Sequence, residues 1–217
     1  MATLIKQRIG EGTGKARKTA YSVDFKARCM EADMTRENLK KFSDQMRNYA
    51  TSFGSTSVSD NRMEKIARVA KSLSQKLSPT NPYVKTLQEV AEACQQLGAE
   101  YRRHQNRVEE LASDFTSWVR TDYEELRRQR DKLKHRRLEM DAAANQLKAS
   151  NTADNKEKAD TATEAHETQL TVVEKLLDRI PSDHKHQARV MLAFLEWQRN
   201  YHCHSSSAIE PHLRRCG

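Results

Sequence analysis

From Val23 onward, apolar side chains recur mainly in steps of three, four and seven, the spacing that gathers them on one stripe of a helix. Phe25, Ala32, Leu39, Phe42, Met46, Tyr49 and Phe53 form the first seam. Ser22 predicts an N-cap, with Asp24 in the first turn. The polar run Gly54–Asn61 predicts a break, kink or loose turn. Ile66, Val69, Leu73 and Leu77 resume the pattern, and Pro79 and Pro82 close a first helix over about 23–78.

The second helix, about 82–148, is the longest. Leu87, Val90, Cys94, Leu97, Tyr101, His104, Val108, Leu111, Phe115, Trp118, Asp122, Leu126, Gln129, Leu133, Arg136, Met140, Ala144 and Leu147 follow one another by threes and fours. At about 1.5 Å per residue such a helix spans on the order of 100 Å. No compact domain is that wide, so it must lie lengthwise against long partners. A polar turn over about 149–157 follows. A third helix over about 158–215 carries Ala162, Gln169, Val173, Leu176, Ile180, Met191, Phe194, Gln198, Tyr201, Ala208 and Leu213. Pro181 predicts a kink or short break with Ser182 recapping the helix, and Pro211 marks fraying near the end. The pattern predicts an all-α fold of three long, kinked, antiparallel helices in a coiled-coil bundle. One bundle covers each helix poorly. A homodimer sharing a six-helix centre would cover the aromatic-rich parts, which makes Phe115, Trp118, Tyr123, Phe194, Trp197 and Tyr201 the candidate dimer interface.

Composition agrees. The 217 residues are 36% hydrophobic and 31% charged, too polar for a thick core, whereas long helices need only narrow seams. Only six Gly and four Pro occur, and none between Gly98 and Pro181, which excludes turn-rich β and α/β folds. No run of ~18 apolar residues marks a membrane span or signal peptide. The four cysteines form no CxxC pair. A cytoplasmic protein with free thiols is expected.

The net charge of +8 points to a polyanionic partner. Between Arg127 and Arg137 stand seven bases and one acid, Asp131. Arg127, Arg130, Lys134 and Arg137 step by three and four onto one face. With Arg128 and Lys132 they form a candidate anion-binding band, and Lys148, Lys156 and Lys158 extend it to the turn. Arg136 lies near the seam and reads as structural. Residues 1–20 are a separate leader with Lys6, Arg8, Lys15, Arg17 and Lys18 against Glu11, and Leu4, Ile5 and Ile9 at helical spacing. Its interior glycines each cost a helix about 1 kcal/mol. The leader is expected to be disordered in water, and either folds on a bilayer as an interfacial helix or remains a loose basic tail.

Other chemistry fares worse. Gly10-Glu-Gly-Thr-Gly-Lys15 lacks the Walker spacing, and Ala16 stands where Ser or Thr is needed. His202, Cys203 and His204 point in different directions on a helix, His212 and Cys216 supply no ligand-spaced pair, and His184 and His186 are isolated. Cys29 and Cys94 fall near helical seams, where a small buried thiol is the ordinary reading. No enzymatic activity, metal or cofactor is expected.

Three stretches resemble the BAR domain family, especially its endophilin and N-BAR type. In Lys132–Lys148, Arg136, Arg137, Leu138, Asp141, Ala142, Ala143 and Leu147 match the family's distal second helix. Ala193-Phe-Leu-Glu-Trp-Gln-Arg-Asn-Tyr201 is similar to its final helix. Lys15-Ala-Arg-Lys-Thr-Ala-Tyr-Ser-Val-Asp-Phe25 is similar to its basic leader running into helix one. The Gly-rich leader and Pro181 depart from the pattern. No SH3 domain follows Gly217, so a BAR-only protein or a fragment is expected. The resemblance implies a BAR domain over 21–217, a crescent-shaped homodimer and a non-enzymatic peripheral membrane protein. Such a dimer would bind anionic phospholipid, sense or induce curvature, and serve endocytosis or vesicle trafficking. The alternative is a helical scaffold dimer that binds a small GTPase or another trafficking protein. Nucleic acid is disfavoured, because the bases lie mid-helix with acids on either side.

Overall fold

The computed structural model describes Gln7, Glu11, residues 19–52 and residues 59–216. Its helices are α1 (Val23–Ser52), α2 (Arg62–Lys76), α3 (Pro82–Trp118), a π-helical turn (Val119–Tyr123), α4 (Glu124–Ala149), α5 (Ala153–Leu177) and α6 (Ile180–Cys216). There is no strand among the described residues.

The ends of these helices follow from local chemistry. Ser22 caps α1, its Oγ accepting from the Phe25 N–H at 3.1 Å. Asn61 and Glu64 form a reciprocal capping box on α2. Asn61 Nδ2 also donates to the Gly98 carbonyl at 2.9 Å, and a Cβ at Gly98 would lie 2.6 Å from Glu64 Cγ. Glycine is therefore required there by close approach. The turn Ser150–Thr152 is shorter than the polar stretch around it suggests, because Thr152 caps α5 by accepting from the Asn155 N–H. The break expected at Pro181 falls at Asp178–Arg179. Pro181 is then the second residue of α6, where its missing N–H costs nothing. Helix α6 continues past Pro211 to Cys216.

The chain divides into two compact units. The first unit holds residues 1–38 and 117–184. Within it α4 and α5 run antiparallel: Gln169 donates to Gln129, Arg179 pairs with Asp122, and Trp118 Nε1 donates to Asp183. Phe25, Cys29, Ala32, Leu126, Leu133, Val173 and Leu177 form its buried apolar part. The second unit holds residues 39–116 and 185–217. Its interior contains Leu39, Met46, Val108, Leu111, Ala112, Phe115 and Tyr201. Ser43 Oγ there donates to the Ala112 carbonyl at 2.9 Å, and Phe42 meets Phe115 edge-on. Each fully buried large apolar side chain contributes roughly 1.5–3 kcal/mol.

The π-helical turn corrects the expected seam. Trp118 and Tyr123 are both buried although five residues apart, and Asp122 is displaced to a partly exposed ion pair with Arg179. One extra residue in the turn makes that step possible.

Candidate functional site

The basic band of α4 separates into two sets once side chains are placed. Arg130 and Arg137 are structural. Arg130 forks onto Asp33 of α1 at 2.6 and 3.1 Å, and Tyr123 donates its hydroxyl to the same carboxylate at 2.7 Å. Burial works against the Asp33 charge, but hydrogen bonds from Arg130 and Tyr123 outweigh it and hold that carboxyl below its usual range. Arg137 is 5% exposed. Its guanidinium contacts Glu11 at 2.9 and 3.0 Å and Asp141 at 2.8 Å. Asp141 in turn accepts from the Thr19 N–H at 3.1 Å. These contacts tie Glu11 and Thr19 to α4.

Arg136, expected near the seam, is instead exposed and pairs with Glu139 one turn along. The two neighbours have thus exchanged the environments their spacing suggested. The reason is that the buried positions after Leu133 run through Arg137 and Asp141, not through Arg136 and Met140.

The second set faces solvent. Arg128, Lys132 and Arg136 step by fours along one exposed face of α4, with Arg127 at its edge, while Lys134 is exposed on another side of the helix, that of Arg130 and Arg137. Arg127 and Arg128 pair with Glu124 and Glu125 at i,i+3, both exposed contacts. Exposed pairs of this kind are worth only ~0.2–1 kcal/mol, so they yield readily to a stronger anion. Lys132 and Lys134 are in no salt bridge among the described residues, nor are Lys148, Lys156 and Lys158 near the α4–α5 turn. Asp154, Glu157 and Asp160 interleave with Lys156 and Lys158 and dilute their field. Lys6, Arg8, Lys15, Arg17 and Lys18 lie outside the described residues.

The expected dimer aromatics are mostly spent within one chain. Phe115 (1% exposed), Trp118, Tyr123 and Tyr201 are buried under the chain's own helices, leaving almost no surface for a second copy. Phe194 and Trp197 are half-buried. Tyr201 stacks on His104 at 4.2 Å, and burial pushes that imidazole down to about 4. The exposed apolar residues of the second unit lie elsewhere and include Ile66, Val69 and Leu73 on α2, Tyr83 and Val90 on α3, and Met191, Leu192, Leu195 and Leu213 on α6.

His212 carries a cluster that the spacing did not reveal. Its ring and the carboxylates of Glu89 and Glu92 bring ligand-type atoms within 4.8 Å of one another. Arg215 already supplies a positive charge there, 3.2 Å from Glu89 and 3.1 Å from His212 Nδ1. Among the described residues no helix is long and apolar enough to cross a membrane.

The BAR domain family's sequence model matches residues 4–214. A BAR protein from Galdieria sulphuraria, known from a crystal structure, is 10% identical over 91% of this chain and 97% of its own, with a TM-score of 0.46. The EFC/F-BAR domain of Drosophila Syndapin/PACSIN is 10% identical over 99% of this chain and 83% of its own, with a TM-score of 0.28. Among curated proteins nothing matches. The family match runs through both units and every described helix, and the chain belongs to the BAR domain family.

Proposed function

We propose that this protein is a peripheral membrane protein of the cytoplasm that docks as a homodimer on anionic phospholipid. The exposed stripe Arg128, Lys132 and Arg136, with Arg127 at its edge, is its contact. BAR domains generally dimerise and bind membranes, and the family supports a non-enzymatic membrane-curvature or scaffold role. The single observation that carries the finer reading is that stripe: three bases on one face of a long helix, tied at most to exposed carboxylates one turn away. A second copy doubles the contact, and a stiff pair of such helices favours the bilayer shape that lets both stripes reach phosphates. Trafficking or endocytic remodelling is the cellular work such a device would do.

Each base near an anionic surface is worth about 1 kcal/mol. Neutralising three in each chain therefore weakens each copy's contact roughly a hundredfold, and the dimer's about ten-thousandfold. The triple variant Arg128→Gln, Lys132→Gln, Arg136→Gln should stop pelleting with phosphatidylserine-containing vesicles at physiological salt while its helical circular dichroism stays that of the parent. Unchanged pelleting by the folded variant would overturn this reading.

A further inference from the structure

A cavity of about 700 Å³ opens in the first unit between residues 19–30 and α4. Small-molecule pockets run from ~300 to 1,000 Å³, so the volume is that of a ligand site. Its wall is chiefly carbon, from Ala20, Phe25, Met30 and Leu133, with the buried Cys29 thiol among them. Four bases also line it and no acid does. Two of the four are already satisfied: Arg130 by Asp33, and Arg137 by Glu11 and Asp141. The other two, Lys26 and Lys134, are exposed and in no salt bridge among the described residues. The Tyr21 side chain completes the wall, while its hydroxyl is buried away from the opening.

We propose that this cavity holds one long acyl chain bearing a single anionic head, of which a free fatty acid is the simplest example. The hydrocarbon packs on Phe25, Cys29 and Leu133. The carboxylate meets Lys26 and Lys134 at the mouth, where Met30 is 63% exposed. Carbon walls, unneutralised lysines and no acid together select an anionic amphiphile over a neutral lipid or a cation. The site goes beyond docking on a bilayer surface, because it stands on a cavity and takes up one molecule.

The test is a titration of the full chain with cis-parinaric acid and with its methyl ester in vesicle-free buffer. The acid should bind saturably, one per chain, and the ester about tenfold more weakly. Lys26→Gln with Lys134→Gln should bring the acid down to the ester's level, and Cys29→Trp, which fills the cavity, should abolish binding of both. In the unaltered chain the bound acid should also slow maleimide alkylation of Cys29, followed peptide by peptide by mass spectrometry, so the proposal does not depend on the tryptophan variant folding. Unsaturable uptake, equal affinity for acid and ester, or Cys29 alkylation indifferent to the acid would each overturn it. Since no vesicles are present, this site and the surface stripe fail or hold separately.

Discussion

The Arg137 guanidinium lies between the carboxylates of Glu11 and Asp141, with both partner side chains under one-tenth exposed. Removing one member of such a group strands a buried charge, at about 3 kcal/mol or more. Arg136, one residue away, has an exposed partner and almost nothing to lose. Arg137→Gln should therefore lower the melting temperature by roughly 10 °C, since ~1 kcal/mol shifts a chain of this size by about 2–4 °C. Arg136→Gln should shift it by less than about 2 °C. Thermal melts of the two variants by circular dichroism check this, and equal losses would contradict the assignment of Arg137 to the interior. Residue-level roles of this kind were not legible in the sequence. Spacing shows which residues share a face, but Glu11 lies 126 positions from Arg137, and no periodicity links the two.

At the scale of elements the sequence was far more informative. Long seams, the N-cap at Ser22 and the break near Pro181 were all readable, because helical period, capping and proline geometry are local. The π-helical turn was not, since a count by threes and fours carries the seam from Trp118 to Asp122 and hides a step of five. The Thr121 hydroxyl donates back to the Ser117 carbonyl at 2.8 Å, one local contact that accompanies the wider turn. Deleting the exposed Arg120 should convert the turn to ordinary α-helix and leave Trp118 and Tyr123 four apart, still on one face. Its melting temperature should stay within a few degrees of the parent, ~1 kcal/mol at most. Deleting Arg127 from the regular part of α4 should instead unfold the first unit, because every later side chain turns by about 100°. Similar melts for the two deletions would count against the π-helical register.

For the molecule as a whole, the expected aromatic interface is largely consumed inside one chain, while aliphatic side chains on α2 and α6 of the second unit remain open. A cavity of about 320 Å³ bordered by Ile66, Val69, Leu73 and Leu87 adds to that apolar face. If a second copy covers it, Val69→Glu with Leu73→Glu should give a folded monomer in sedimentation at micromolar concentration, and a persistent dimer would move the interface elsewhere. The cationic stripe belongs to the first unit and this apolar face to the second. The two can thus be altered one at a time, which separates valence from the strength of each contact. A monomeric variant would keep every lysine and arginine of the stripe yet lose avidity out of proportion to the halved charge, because the second grip in a tethered pair forms at millimolar effective concentration instead of by a fresh collision.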